Sequence, residues 1–415
     1  MTTKITKLKL DNVGGFKDFE LDFHDKLTVL IGNNGSGKTT ILSSIAFLFD
    51  IVFTLNVSLS RDPASGTFAN RENIPFINRQ KYLNYKLLND IPTISIDSYI
   101  DNNNCSLTIT DKTSVGVNEF EEIMKKLLNE KQYIPLFIYY PAYNAQVGNV
   151  EFSDIKLEND PLAAYISAFN EEIFDFNRFF NWFKWQESIK REIGTNNKYE
   201  IIRQAIYKVL NDKNNTFDNL HVTWLNNPQG DLCIDKNGTK LNINQLSAGE
   251  KMLLILVADL ARRLIVANPE SDNPLRGDGV ILIDEIDLHL HPSWQRKIVP
   301  NLMKIFPNCQ FIISTHSPLI LGTVPHKNVT ILEDFKPIKI TPNTLGRDNN
   351  SILYDLMGVT ERPEKTQKVL DKFYELLDEE KKEEAQNILD DLSEYLGEDD
   401  IAIVQARVNL EFEDF

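Results

Sequence analysis

Near the start of the chain apolar and polar residues alternate, and then give way to an almost unbroken apolar run. Phe19, Leu21 and Phe23 alternate with acids, the period of a half-buried antiparallel strand. The preceding ITKLKL reads as its partner, joined through a turn at residues 12–15. LTVLI, residues 27–31, is apolar almost throughout, as a strand covered on both faces is. A glycine-rich turn and a helix from residue 39 to about residue 50 follow. Residues 56–84 show no period and read as a loop-rich insertion. ISIDSYI and CSLTIT flank DNNN as a hairpin, and YIPLFIYY is a further buried strand ended by Pro141. Residues 160–210 read as helical: Phe169, Ile173, Phe176, Phe180 and Phe183 recur three or four apart, and Trp182 and Trp185 widen the stripe. DLCIDKNGTKLNI carries the Asn237–Gly238 hairpin signal.

Two helical stripes close the chain. Val369, Leu370, Phe373, Leu376 and Leu377 form one, and Ala385, Ile388, Leu389, Leu392 and Leu396 the other, with residues 378–382 between them. The pattern predicts a helical hairpin whose apolar faces bury each other. The last residues, from Leu410 to Phe415, alternate apolar and acidic side chains, leaving exposed aromatics beside acids.

Composition narrows the function classes. The 42% apolar fraction supports a real core, and no run approaches the roughly 18 apolar residues of a membrane span. The opening residues carry no apolar signal segment, and Cys105, Cys233 and Cys309 are far apart, with no CxxC. The expectation is a cytoplasmic protein without a zinc or disulfide framework. Net charge is −16, which disfavours nucleic-acid binding by bulk electrostatics. Residues 361–415 hold 7 Lys and Arg against 18 Asp and Glu, a net of −11, leaving −5 for the 360 residues before them.

Four short motifs carry candidate chemistry. Gly32, Asn33, Asn34, Gly35, Ser36, Gly37, Lys38 and Thr39 match G-x-x-x-x-G-K-[ST] between a strand and a helix, the context a phosphate-binding loop requires. Its backbone N–H groups and the helix N-terminus face the phosphates, Lys38 reaches the β- and γ-phosphates, and Thr39 holds Mg²⁺; Thr40 extends the ATP-binding set. VILI followed by Asp284 and Glu285 reads as a buried strand delivering two acids, Asp284 for Mg²⁺ and Glu285 to polarise the attacking water. Leu246, Ser247, Ala248, Gly249 and Glu250 open a Leu- and Ala-rich helix. Ser247 and Glu250 suffice for a capping box, but capping does not explain Gly249, where glycine costs about 1 kcal/mol against alanine. The same helix end suits a phosphate presented from outside. FIIS, Thr315 and His316 form another buried strand ending in a polar run, where a His can contact the γ-phosphate. His289 and His291, an i, i+2 pair without a further ligand nearby, have poor metal-ligand spacing.

These motifs, in this order, resemble the ABC-type ATPase head shared by SMC proteins, RecF-like repair ATPases and OLD-like defence ATPases. The resemblance implies an α/β P-loop head, a mixed sheet plus a helical lobe, with a C-terminal helical extension. It makes residues 32–39 the Walker A loop, residues 246–250 the signature, residues 281–285 Walker B, Asp287 the D-loop acid, His316 the switch histidine and Gln146 the Q-loop residue. It implies a homodimer or higher homo-oligomer in which each ATP lies between Walker A of one copy and the signature of the other. The tail, NTLGRDNNSILYDLMGVTERP and the acidic segment after it, is similar to the end of the PtuA ATPases of Septu antiphage systems and some retrons. That resemblance implies an HNH nuclease partner of the PtuB kind, with DNA reached through the complex. The competing expectation is a RecF-like repair ATPase without a dedicated nuclease. A built-in Toprim nuclease does not fit the 99 residues after His316, and no heptads support an SMC coiled coil. The expected domains are an N-terminal lobe over 1–150 with an insertion at about 51–90, a helical insertion over 151–225, a C-terminal lobe over 226–345 and an acidic docking tail over 346–415.

Overall fold

The computed structural model describes residues 3–53, 92–110, 113–131, 133–142, 160–169, 176–225, 227–338, 342–360 and 362–412. The chain divides into two packed units, Met1–Arg347 and Asp348–Phe415. The expected insertion near residues 56–84 and the candidate Gln146 lie outside the described residues.

Three sheets build the first unit. β1 (Thr3–Val13), β2 (Phe16–Asp22), β4 (Thr93–Ile100), β5 (Asn103–Thr110) and β6 (Ser114–Val115) form an antiparallel sheet in the order β2-β1-β4-β5-β6. Its register aligns Leu21, Leu8, Ile96 and Leu107 in one row and Phe19, Leu10, Ile94 and Ile109 in the next, all buried. The second sheet is the one that carries chemistry. β3 (Leu27–Gly32), β7 (Leu136–Tyr140), β11 (Gly279–Ile283), β12 (Cys309–Ser314) and β13 (Val329–Glu333) run parallel, with β14 (Lys336–Ile338) antiparallel at one edge. The order is β14-β13-β3-β12-β11-β7. β7, β11 and β12 are buried at every position, as strands covered on both faces must be. β8 (Phe217–Thr223), β9 (Asp231–Lys236) and β10 (Thr239–Asn242) make a small antiparallel sheet, and Asn237 and Gly238 form the β9–β10 turn, both at positive φ.

One buried side chain ties the first two sheets together. Gln310 of β12 accepts from the Ile5 N–H at 2.8 Å and donates to the carbonyls of Ile5 (2.8 Å) and His24 (3.0 Å). It meets the backbone polar groups of a chain segment that would otherwise have no partner inside the core.

The helices are α1 (Lys38–Ile51), α2 (Val117–Lys126), α3 (Phe176–Ile193), α4 (Asn197–Leu210), α5 (Ala248–Ala267), α6 (Pro292–Ile305) and the single turn α7 (Pro318–Leu321). The aromatic stripe expected through residues 160–210 is shorter than its periodicity implies. Phe169 lies in a turn after a 3-10 segment (Pro161–Tyr165), Ile173 lies outside the described residues, and the helix starts at Phe176. From there Phe176, Phe179, Phe180, Trp182 and Phe183 are buried as packed core.

The second unit holds α8 (Asn349–Met357), α9 (Glu364–Asp378), α10 (Lys382–Leu396) and α11 (Ile401–Phe412). The expected hairpin is α9 and α10, and α11 adds a third helix through Ile403 and Ala406. Val369, expected inside, is 39% exposed, whereas Leu410, outside both expected stripes, packs against this core. A third helix was hidden because IAIVQARVNL is apolar on two faces, giving no single stripe to read. No helix among the described residues is long and apolar enough to cross a membrane.

Candidate functional site

Parallel strands bring their C-terminal ends to one edge of a sheet, and the loops leaving those ends share a crevice. Here the loop after β3 is the glycine-rich turn, the loop after β11 begins with Asp284 and Glu285, and β12 leads into Ser314, Thr315 and His316. Backbone hydrogen bonds stitch these ends together: Asp284 N–H to the Tyr140 carbonyl (2.8 Å), Ile286 N–H to the Ser314 carbonyl (3.1 Å) and Thr315 N–H to the Leu30 carbonyl (3.2 Å).

Asp284 is 3% exposed, and hydroxyls from the first turn of α1 and the end of β12 meet it. Thr39 Oγ1 donates to Oδ2 at 2.7 Å, and Ser314 Oγ donates to Oδ1. Ser314 Oγ also accepts from the Glu285 N–H at 2.8 Å. Glu285 sits at φ 47, a left-handed conformation that a non-glycine residue adopts only under local constraint. Its carboxylate has no hydrogen-bond partner among the described residues, and the residue is half-buried.

The phosphate loop is cationic and under-satisfied. Lys38 is 6% exposed, and its ammonium donates to the carbonyls of Gly32 (2.8 Å) and Asn33 (3.1 Å). Burial pulls its pKa below the ordinary lysine value, against the opposing influence of Asp284, Glu285 and Asp287. The Ser36 hydroxyl, 8% exposed, has no hydrogen-bond partner among the described residues. A buried ammonium with a strained charge and an orphaned hydroxyl beside a helix N-terminus are what an anion with several oxygens would satisfy. Gly37 caps α1 at φ 102, which lets the loop turn inward.

Asp287 is an organiser of the neighbouring loop: Oδ1 accepts from Thr315 Oγ1 and from the His316 N–H at 3.2 Å. His316 is half-buried. His291 serves as the N-cap of α6, its ring beside the Ser293 N–H and hydroxyl, and no group of three metal-binding side chains exists among the described residues.

The Leu246 to Glu250 motif opens α5. Ser247 and Glu250 form the full capping box, and the Glu250 carboxylate also pairs with Lys236 of β9 at 2.6 Å. Ser247 and Ala248 are exposed, while Gly249 is buried. Packing explains the glycine that capping left unexplained: a Cβ there would lie 2.6 Å from the His289 carbonyl oxygen. Farther along α5, buried Asp259 accepts from Tyr140 Oη (3.0 Å), Arg262 (2.9 Å) and Arg263 (2.6 Å). Burial alone would raise the Asp259 carboxyl, but the two guanidiniums outweigh it and hold it below its ordinary value. Sequence reasoning missed Ser314 and this Asp259 network. A Ser ending an apolar strand and two adjacent arginines in an apolar helix were the available signals.

The family model described as "AAA domain, putative AbiEii toxin, Type IV TA system" matches residues 27–322. The chain is similar to the retron Ec83 probable ATPase of Escherichia coli, 30% identical over 98% of this chain and 86% of that one. It is also similar to the Septu protein PtuA of Bacillus thuringiensis, 27% identical over 91% of this chain and 90% of that one. Among solved structures it is similar to the Smc head domain of Pyrococcus furiosus, with a TM-score of 0.45 and 16% identity over 82% of this chain and 96% of that one.

Ser314→Ala removes one donor from Asp284 and the acceptor of the Glu285 N–H. Support residues of this kind are worth roughly 10- to 100-fold. ATP turnover should fall at least tenfold while ATP affinity, measured by calorimetry, stays within about threefold of wild type. Unchanged turnover would show that Ser314 does not position the two acids.

Proposed function

Because the chain belongs to the AAA-domain family of ATPases that includes the retron ATPases, we propose that it hydrolyses ATP at composite sites and thereby controls a separate nuclease in antiphage defence. The observation that carries the ATP site is the 2.7 Å contact between Thr39 Oγ1 and Asp284 Oδ2, beside buried Lys38. The hydroxyl and the carboxylate so juxtaposed are the hard oxygen donors that magnesium takes, directly or through water. Magnesium held by Thr39 and Asp284 would neutralise charge on the β- and γ-phosphate oxygens. Residues 32–40 wrap the triphosphate with backbone N–H groups, and Lys38 meets the β- and γ-phosphates. Glu285, free of side-chain partners among the described residues, accepts a proton from the attacking water. His316, fixed through its backbone by Asp287, reads the γ-phosphate.

The second half of each site comes from another copy of the chain. Ser247 and Ala248 are exposed at the start of a 20-residue helix, while Glu250 behind them is committed to the cap and to Lys236. That leaves a helix N-terminus open to a phosphate presented from outside. Through Gly249 and His289 the same helix end is packed against the loop that follows Asp284 and Asp287, so closure by a partner is felt at the acids. The reading supports a cytoplasmic homodimer or larger homo-oligomer.

The nuclease reading rests on the likeness to the Septu protein PtuA and on the acidic tail. A net of −11 in residues 361–415 costs stability through self-repulsion unless a basic surface offsets it. An HNH nuclease, basic where it meets DNA, is the partner of that chemistry.

Two measurements test these halves separately. Ser247→Arg and Lys38→Ala copies are each expected to be inactive as homodimers, and mixing them restores one intact site per mixed dimer. Turnover per mixed dimer near half of wild type is expected, and Glu285→Gln placed on the Ser247→Arg copy should abolish it. No recovery in demonstrated mixed dimers contradicts composite sites. For the tail, a chain ending at Arg347, the boundary of the first unit, should keep ATP turnover within about twofold and lose co-purification with a co-expressed HNH nuclease of the PtuB kind. Retention at wild-type stoichiometry would make the tail a solubilising appendage.

A further inference from the structure

The β13–β14 hairpin closes with a two-residue loop, Asp334 and Phe335, between the paired Glu333 and Lys336. Both loop residues have positive φ, 47° and 58°. Tight hairpins of this kind favour Asn-Gly, and a bulky residue in the left-handed region is an outlier. A glycine at 335 would relieve the turn, so the aromatic ring, not the turn, is what the strain retains.

The ring reaches into the nucleotide site. A Cβ on Gly15 would fall 2.2 Å from the far edge of the Phe335 ring, and one on Gly37 would fall 3.2 Å from its flank. Phe16 meets it edge-on, with centroids 5.3 Å apart. Phe335 therefore sits against both the β1–β2 turn and the last glycine of the phosphate loop, half-buried rather than sealed in. The β1–β2 turn also approaches the helix beyond the metal-side threonine: a Cβ on Gly14 would lie 3.1 Å from Thr40 Cγ2.

The sheet order gives this place a direction. Asp284 and Glu285 leave β11, and His316 follows β12, on one side of β3. β13 and β14 lie on the other side. A triphosphate with its γ end facing those acids and Thr39 runs its α end, and the nucleoside attached to it, toward β13. Phe335 is the aromatic that waits there. We infer that Phe335 is the base platform of the nucleotide site, against which the purine of a bound nucleotide lies, beside the Gly14–Gly15 turn. This inference rests on the ATP reading above and adds to it the subsite that distinguishes a nucleotide from a bare polyphosphate. A stacked π-face tolerates any purine, so the platform supplies affinity for a base without choosing adenine over guanine.

The test compares ATP, GTP and inorganic tripolyphosphate, each with Mg²⁺, by titration calorimetry or competition on the full chain. Phe335→Ala, and Phe335→Gly, which removes the turn strain and guards against a folding artefact, are expected to weaken ATP and GTP about tenfold, since base stacking is lost. Tripolyphosphate affinity should stay within twofold, and Phe335→Tyr should retain wild-type ATP affinity. Unchanged ATP affinity in Phe335→Ala overturns the inference. So does an equal loss for tripolyphosphate, which would make the ring a wedge that shapes the phosphate loop. A wild-type chain that binds none of the three ligands better than Lys38→Ala does overturns the ATP reading and this inference with it.

Discussion

A carboxylate buried at the end of a parallel strand must be met by donors, or its desolvation would push it toward the neutral form. Asp284 is met by Thr39 from the phosphate loop and by Ser314 from the next strand. Those two hydroxyls belong to segments 245 and 30 residues from Asp284 in sequence. The one acid therefore fixes the relative height of β3, β11 and β12 at the working edge of the sheet. Everything polar in the crevice hangs on that alignment. Ser314 also receives the Glu285 N–H, so the strained backbone that aims Glu285 is held by the side chain that orients Asp284.

The alignment extends to α5 through two independent contacts. Tyr140 accepts from the Asp284 N–H through its backbone and donates from its hydroxyl to Asp259, midway along α5. At the start of α5, Gly249 lies against the His289 carbonyl, with no room for a side chain. The helix is thus packed at its start against the loop that follows the acids, and at its middle against the strand, β7, that receives the Asp284 N–H. Buried ion networks such as Asp259, Arg262 and Arg263 are weak evidence for net stability, but they tolerate few alternative arrangements.

Much of this was legible before any coordinates. The glycine-rich loop, the acid pair and the capping box each follow from a local rule: a glycine-rich turn between strand and helix, an apolar run ending in carboxylates, a Ser and Glu three apart. What stayed hidden depends on neighbours distant in sequence. Nothing near Ser314 announces that it bridges Asp284 and Glu285. Gly249 looked like a cost in a first helical turn until His289 was found against it. Phe335 gave no periodic signal, because a residue held at positive φ in a two-residue turn belongs to no face. Similarly, α11 carries apolar residues on two sides and so reads as neither a core helix nor a surface one. The expected aromatic stripe overran its helix, since spacing alone cannot tell a turn such as that at Phe169 from the first turn of α3.

The central claim is that Thr39 and Asp284 form one cation-binding edge beside a triphosphate site. Titration of ATP into the wild-type chain and into Asp284→Asn, each with magnesium and again after chelation, addresses it most directly. The account predicts that magnesium tightens ATP binding at least tenfold in the wild type and that this gain disappears in Asp284→Asn. Equal affinity with and without magnesium in the wild type, or a magnesium gain that survives the substitution, would contradict it.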